Sequence, residues 1–194
     1  MRLKVVVIVA FLIAIFSGCR GDKRSDASDT ANASPPPEEK SEMIAVTSTA
    51  FEEGGMIPPE YTCDGADISP PLAFGNIPED AQSLVLIVDD PDAPAGTWVH
   101  WVLYNIPAIT PGLPPDVPPD ETLAFGACQG MTSFDSTGYG GPCPPDGTHR
   151  YFFKVYAIDS DLGFPDPPTR ADLEQAMAGH ILAEGQLMGI YTRQ

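Results

Sequence analysis

The hydrophobic residues of the chain fall into short runs separated by long loops rich in proline and glycine. Residues Met43 to Phe51 alternate between apolar and polar side chains, which predicts an edge strand. The run Leu84–Val88 contains only Val, Ile and Leu and is too short for a lone helix, so it predicts a strand buried on both faces. Further strands are predicted at Trp98–Tyr104 and Tyr151–Ile158. Several strands with long connections favour a mainly β chain folded as a β-sandwich.

One helix is predicted late in the chain. Thr169 can cap it, Asp172 lies three residues further in capping-box spacing, and Gly179 can end it. The spacing of three and four residues predicts a buried face made of Leu173, Ala176, Met177 and His180. A final turn and strand are expected within Ile181–Tyr191.

The first apolar run, Val5–Phe16, follows the basic residues Arg2 and Lys4. It is shorter than the roughly 20 residues that a membrane-spanning helix needs. This pattern is typical of a secretory signal peptide. The run ends in Ser17-Gly18-Cys19, which resembles the lipobox of prokaryotic lipoproteins and predicts residues 1–18 as signal peptide and Cys19 as the site of lipidation, including palmitate. The alternative is an ordinary signal peptide with a chance cysteine.

A polar segment rich in Ser, Asp, Ala and Pro follows the signal sequence. Residues 19–41 are interpreted as a lipid-attached flexible tether, with a reach of roughly 25–30 Å, and residues 42–194 as the folded domain. The predicted localisation is exported and lipid-anchored to a prokaryotic cell membrane, either periplasmic or on the outer surface.

The charge of the chain is strongly negative, with 10 Lys and Arg against 27 Asp and Glu. The domain itself carries 22 acidic residues and four basic ones, Arg150, Lys154, Arg170 and Arg193. This composition excludes a nucleic-acid-binding protein, which needs clustered cations to neutralise phosphates. The simplest reading of the acidity is solubility, and it carries no information about a site.

Three segments carry residues that could form a polar site. Asp89-Asp90-Pro91-Asp92 leaves the most buried strand, although such a segment is also typical of a turn whose carboxylates bond the local backbone. His100 lies in an apolar strand, where period two places it on one face with Trp98, Val102 and Tyr104. A histidine in this position is more often a satisfied core residue than a ligand-binding one. The glycine-rich loop Gly138–Gly147 leads into His149, Arg150 and Tyr151, with Arg150 facing away from the other two.

The order of these motifs resembles that of the phosphatidylethanolamine-binding protein family. The matching segments are Asp90-Pro91-Asp92-Ala93-Pro94, Trp98-Val99-His100, Gly141-Pro142 and Gly147-Thr148-His149-Arg150-Tyr151. Cys63-Asp64-Gly65, Ser69-Pro70-Pro71-Leu72 and Gly179-His180 are similar to its bacterial and archaeal Raf-kinase-inhibitor-like branch. The resemblance covers the domain from about Met43 to Arg193.

The resemblance implies a β-sandwich of two antiparallel sheets with few short helices. It also implies a cleft that binds small anions such as phosphate and acetate, or phosphorylated head groups. The cleft residues that it implies are Asp90, Asp92, His100, Gly141, Pro142, His149 and Tyr151. Arg150 is left out, because we expect it to form a structural ion pair. The chain departs from the animal members of the family at Val99, where a second histidine is common, and in lacking a clear counterpart of their long C-terminal helix; both weaken a transfer of lipid or kinase binding.

Three cysteines remain besides Cys19, and they allow three single pairings. An exported protein favours disulfides. The family places the loops of Cys63 and Cys143 near the cleft, so this pair is preferred and Cys128 is left over. Neither a zinc site nor a catalytic pair of Cys143 and His149 has supporting spacing, and no metal or cofactor is expected.

Three functions compete at this point. The first is a membrane-anchored binding protein for a small anion or phosphate-bearing ligand, whose affinity falls as pH rises past about 6.5, where free histidine loses its charge. The second is an inhibitor of a protease or signalling enzyme, acting on an unnamed protein partner through loops Ile57–Pro71 and Pro107–Asp120. The third is a hydrolase using His100, His149 and Asp90, which ranks last because the sequence has no nucleophile elbow, Walker loop or metal-ligand motif.

Overall fold

Two antiparallel sheets form the fold that the computed structural model describes for residues 43–193. The strands are β1 (Ala45–Thr47), β2 (Leu72–Gly75), β3 (Ser83–Asp90), β4 (Trp98–Pro107), β5 (Gly112–Leu113), β6 (Cys128–Gln129), β7 (Thr148–Ile158) and β8 (Ile181–Thr192), and the helix is α1 (Arg170–Met177). The small sheet has the order β1-β2-β5, and the large sheet has the order β6-β4-β3-β7-β8. The mainly β architecture of two antiparallel sheets with few helices is therefore confirmed.

The predicted signal peptide at 1–18, the lipidation site Cys19 and the tether at 19–41 lie outside the described residues. Among residues 43–193, no helix is both long enough and apolar enough to cross a membrane.

Strand β3 is the centre of the large sheet, and all eight of its residues are buried. On one face, Leu84 and Leu86 pack into the core between the two sheets. On the other face, Val85 and Ile87 pack into a second cluster beneath helix α1. The prediction of a strand buried on both faces is thus confirmed, because one sheet face is covered by the small sheet and the other by the helix.

The edge strand β8 is covered by the segment that begins the domain. Ile44 N donates to Glu184 O over 3.0 Å, and Gly54 N donates to Met188 O over 2.8 Å. Strand β1, inside the predicted edge segment Met43–Phe51, lies at one edge of the small sheet. Covering the backbone of β8 removes a long exposed edge that could pair with other chains.

Helix α1 begins with the predicted capping box. The Thr169 side chain accepts from the backbone of Asp172, and the Asp172 carboxylate accepts from the backbone of Thr169. Leu173 and Met177 are buried and Ala176 is partly buried, as the spacing predicts. The prediction that His180 belongs to the buried helical face is wrong. The helix ends at Met177, so His180 lies beyond it and is exposed. His180 donates from Nδ1 to Asp159 Oδ1 over 2.7 Å.

The residues after the helix form one long strand, β8, as expected, but the strand begins directly at Ile181 and the expected turn is not present within it. Strands β2, β5 and β6 were not predicted. They have four, two and two residues, which is too few to show a clear period of two in the sequence.

A fully buried carboxylate holds the helix against the sheet. Asp89, the penultimate residue of β3, is 0% exposed, and its Oδ2 accepts from Lys154 Nζ over 2.8 Å and from an Arg170 guanidinium nitrogen over 2.7 Å. Lys154 belongs to β7 and Arg170 is the first residue of α1. The carboxylate therefore joins three elements of the fold through charge-assisted hydrogen bonds.

We predict that Asp89→Asn lowers the free energy of unfolding by about 3 kcal/mol, because it removes the buried negative charge that both cations face. Urea unfolding followed by circular dichroism measures this loss. Asp166→Asn is the matched control at an exposed position and should change stability by less than about 0.5 kcal/mol. Equal stabilities of the two variants would contradict the role assigned to Asp89.

Candidate functional site

A cavity of about 460 Å³ opens at the end of the sandwich where β3 finishes and β4 and β7 begin. Its charged and titratable side chains are Asp90, His100 and His149. Most of the remaining wall is apolar and consists of Ala93, Pro94, Ala95, Trp98, Phe134, Pro144 and Pro145. Three of the seven residues implied by the resemblance thus line this cavity directly.

The antiparallel order of the large sheet explains this convergence. Strand β3 lies between β4 and β7, so its C-terminal end meets the N-terminal ends of both neighbours. Asp90 is the last residue of β3, and His149 is the second residue of β7. Residues far apart in sequence therefore meet where the ends of these three strands lie side by side.

His100 reaches the cavity through a β-bulge in β4. Val88 of β3 lies opposite Trp101, whereas the next residue, Asp89, lies opposite Val99, so His100 is an extra residue. The bulge places His100 and Trp101 on the same side of the sheet. The expectation that His100 shares a face with Val102 and Tyr104 is wrong, because those two residues pack beneath helix α1 and the alternation of β4 is reset at the bulge.

Asp90 and His149 form a buried pair at the base of the cavity. His149 Nδ1 donates to Asp90 Oδ2 over 2.7 Å, and the two residues are 6% and 3% exposed, respectively. Asp90 Oδ1 accepts from the backbone N–H of Asp92 over 2.8 Å, so both carboxylate oxygens are occupied. The carboxylate fixes the imidazole ring and leaves Nε2, which has no hydrogen-bond partner among residues 43–193, as the atom that a ligand can reach.

His100 is held in a different way. Its Nδ1 donates to the backbone carbonyl of Gly140 over 2.6 Å, and its ring lies edge-on to Tyr151 and Phe134. Burial lowers the pKa of His100, and the Gly140 carbonyl and the Asp90 carboxylate oppose that shift only in part. At neutral pH this ring is therefore uncharged, and its Nε2 offers a lone pair rather than a proton.

Asp92 is placed beside the cavity, where Arg150 occupies its carboxylate. Asp92 Oδ2 accepts from Arg150 N over 3.0 Å and from Nε over 2.9 Å, and Asp92 Oδ1 accepts from a terminal guanidinium nitrogen over 2.7 Å. This is the ion pair expected for Arg150, and it lowers the pKa of Asp92 to about 2. Asp92 stabilises the turn that carries Asp90 and does not line the cavity wall.

Gly141 and Pro142 support the cavity wall from behind. Gly141 N donates to Asp67 Oδ1 over 2.7 Å, and the carbonyl of Pro142 accepts from Cys63 N over 3.2 Å. A Cβ atom on Gly141 would lie 2.6 Å from the carbonyl oxygen of Tyr61, so only glycine fits there. These backbone groups are used inside the protein and are not directed at a ligand.

Tyr151 packs edge-on against His100 and does not itself line the cavity. It is fully buried, and its hydroxyl has no hydrogen-bond partner within the described part of the chain. Burial, assisted by the nearby Asp90 carboxylate, raises the pKa of Tyr151. The phenol therefore stays protonated, and its ring supports the edge-on contact with His100.

Phe134 is a cavity residue that the sequence analysis missed. It is 44% exposed, and its ring lies 5.5 Å from both the Trp98 ring and the His100 ring, edge-on in each case. The only signal for it in the sequence is a lone aromatic residue in the polar loop Thr132–Ser136. A phenyl ring left open at the mouth of a cavity adds an apolar contact surface for a ligand.

The disulfide expected from the family resemblance is present between Cys63 and Cys143, whose Cα atoms are 5.5 Å apart. Cys128 is a free, half-buried cysteine. Within residues 43–193, no group of three or more His, Cys, Asp or Glu side chains is arranged to hold a metal ion.

Two imidazole nitrogens face the interior of the cavity without a protein partner among the residues that the structure describes. His149 presents Nε2 with a carboxylate behind the ring, while His100 presents a neutral Nε2 acceptor. Cys143, the one cysteine on the wall, has its sulfur in the disulfide. The arrangement places two histidine nitrogens within mostly apolar walls.

Comparison with known proteins gives a family model and sequence relatives that match most of the chain. The family described as "Phosphatidylethanolamine-binding protein" matches residues 47–192. A UPF0098 protein of Methanothermobacter thermautotrophicus is 49% identical over 144 residues, which cover 74% of this chain and 95% of that protein. A UPF0098 protein of Aquifex aeolicus is 48% identical over 154 residues, covering 78% of this chain and 90% of that protein.

Solved structures show the same fold. A phosphatidylethanolamine-binding protein homologue from Chlamydia trachomatis superposes with a TM-score of 0.73 at 41% identity, covering 78% of this chain and 99% of that one. E. coli YbcL, described as a new member of the mammalian family, has a TM-score of 0.72 at 32% identity over 78% of this chain and 99% of its own. The chain therefore belongs to the phosphatidylethanolamine-binding protein family.

Proposed function

We propose that the cavity of this binding protein holds a small organic anion, with a phosphate monoester as the best fit. Family membership supports a binding-protein type of function. The observation that supports binding of an anion is the buried pair in which Asp90 Oδ2 accepts from His149 Nδ1. Because this contact commits Nδ1, a protonated His149 presents its remaining N–H, at Nε2, to the ligand. The carboxylate behind the ring stabilises the positive charge.

The second histidine narrows the choice of anion. His100 donates from Nδ1 to Gly140 O and is neutral, so its Nε2 accepts a hydrogen bond. A phosphate monoester that retains one proton can donate that proton to His100 and accept from His149. Sulfate can accept but has no proton to donate. The pair of histidines therefore favours a protonated phosphate over sulfate.

The apolar walls of the cavity indicate the chemical character of the rest of the ligand. Trp98, Phe134, Pro144 and Pro145 form an apolar surface above the two histidines. A ligand that places its phosphate at the base would lay its substituent against this surface, where burying apolar area is favourable. We infer a compact apolar substituent on the phosphate.

We further propose that Cys19 carries the lipid that anchors the protein to a prokaryotic membrane on its exported side. The support is the sequence alone: a short apolar run, the Ser17-Gly18-Cys19 ending and a polar tether. Hydrolysis through a covalent intermediate is less favoured for this cavity. The carboxylate of Asp90 is fully hydrogen-bonded, and the Cys143 sulfur is in a disulfide, so neither is a free nucleophile.

We predict that His149→Ala weakens phosphate binding roughly tenfold or more near pH 6, because a charge-assisted hydrogen bond is lost. Isothermal titration calorimetry measures the affinity. His180→Ala is the matched control, since His180 makes the same 2.7 Å contact to a carboxylate, Asp159, at an exposed position outside the cavity. Unchanged affinity in His149→Ala would remove the basis for the proposed site.

We predict that phosphate binds at least about tenfold more tightly than sulfate near pH 6, and that His100→Phe abolishes the difference by removing the acceptor. Phenylalanine keeps an edge-on ring against Tyr151 and Phe134. The measured quantity is the ratio of the two dissociation constants, with near-ultraviolet circular dichroism as the check on folding. A ratio that survives in folded His100→Phe would show that another group recognises the phosphate proton.

A further inference from the structure

One of the two disulfide cysteines forms part of the cavity wall. Cys143 is an exposed residue and lines the cavity together with Pro144 and Pro145. Its partner Cys63 is 80 residues away in sequence, in the loop that follows the turn at Pro59–Tyr61. One covalent bond thus fastens the wall to a distant loop. The exposure of Cys143 makes the bond accessible to thiol–disulfide exchange.

The segment before Cys143 is fastened to the same loop by hydrogen bonds. Tyr139 donates from its hydroxyl to the carbonyl of Tyr61 over 2.8 Å. Gly141 N donates to Asp67 Oδ1 over 2.7 Å. We call residues 139–143 the wall segment. With Gly138 at a φ of 94°, Gly140 and Gly141, this region has little stiffness of its own and depends on its cross-links for order.

The wall segment also positions one of the two histidines. Gly140 N donates to the carbonyl of His100 over 3.0 Å, and the Gly140 carbonyl accepts from His100 Nδ1 over 2.6 Å. The second bond sets the orientation of the ring and fixes which nitrogen carries the proton. Gly140 lies only three residues before Cys143, so a change in how Cys143 is held reaches His100 through a short stretch of backbone.

We propose that the Cys63–Cys143 disulfide is a redox-controlled brace of the ligand cavity. When the bond is closed, the wall segment holds His100 in its binding orientation. When a dithiol opens the bond, the wall segment beyond Tyr139, whose ring stays packed on Trp101, retains only hydrogen bonds that water can replace, and His100 loses its fixed position. Ligand affinity then falls while the sheets stay folded. The effect on affinity rests on the proposed function, whereas the loosening of the wall segment does not.

The exchange balances without any group held by the protein. A thiolate of the dithiol attacks the sulfur of Cys143, the bond to Cys63 breaks, and Cys63 leaves as a thiolate that takes up a proton. The second thiol of the reagent then attacks the mixed disulfide and releases Cys143 as a thiol. Two electrons pass from the dithiol to the two cysteines, and the reagent becomes a disulfide.

The experiment uses the full chain in detergent, with Cys19→Ser and Cys128→Ser so that only Cys63 and Cys143 can react. Phosphate affinity is measured by calorimetry before and after dithiothreitol, and backbone hydrogen exchange is measured on both forms. We expect roughly fivefold or greater weakening of phosphate binding on reduction, within the range of couplings between linked sites. We also expect faster exchange at Gly140 and Gly141, with β3 unchanged. Adding Cys63→Ser and Cys143→Ser should reproduce the reduced form and remove its response to dithiothreitol.

Three results would overturn the proposal. The first is equal phosphate affinity together with equal exchange at Gly140 and Gly141 in both forms. The second is weaker binding with unchanged exchange at these glycines. The third is faster exchange throughout β3, β4 and β7, which would make the disulfide a support of the whole fold. If the oxidised protein binds no phosphate, the proposed function fails, and the exchange at the two glycines alone decides whether the brace exists.

Discussion

Two consecutive buried carboxylates at the end of the central strand are the constraint on which the rest of the structure depends. Successive side chains of a strand point to opposite faces, so Asp89 and Asp90 leave β3 in opposite directions. Asp89 meets Lys154 and Arg170 and fixes helix α1 on one side, whereas Asp90 meets His149 and creates the cavity on the other. Neither carboxylate could be buried without these partners, because an unpaired charge in the interior is very costly. These two adjacent residues therefore stabilise the fold and form part of the site.

Strand positions, the two faces of the sheet and the capped helix could be predicted from the sequence, because each depends on a local period. The burial of Leu84–Val88 and the capping box at Thr169 and Asp172 are examples. The bulge at His100 could not be predicted in this way, since a single inserted residue leaves no mark in a pattern of period two. The prediction that His180 is buried on the helix failed for a related reason, because the helix ends about one turn before the apolar spacing does.

The site was predictable only in part, because proximity in sequence does not show which groups are already used. The family motifs identified Asp90, His100 and His149, which line the cavity. The same motifs include Asp92, whose carboxylate is taken by Arg150, and Gly141, whose amide is taken by Asp67. Whether a polar group faces a ligand or another protein group depends on pairing across loops. That pairing is a tertiary property. The position of Phe134 beside His100 and Trp98 is likewise tertiary, and this explains why Phe134 was missed.

The long-range charge of the domain opposes the anionic ligand that we propose, so its recognition would depend on contacts made inside the cavity. Charges on the surface are screened beyond about 8 Å at physiological ionic strength, whereas buried pairs are screened much less. The Asp90–His149 pair is almost completely buried, so its interactions dominate for a ligand that has reached it. An acidic exterior repels highly charged anions most, so the monoanion with an apolar substituent that we propose is the ligand least affected by this repulsion. The acidity of the surface and the apolar walls of the cavity are both consistent with that proposal.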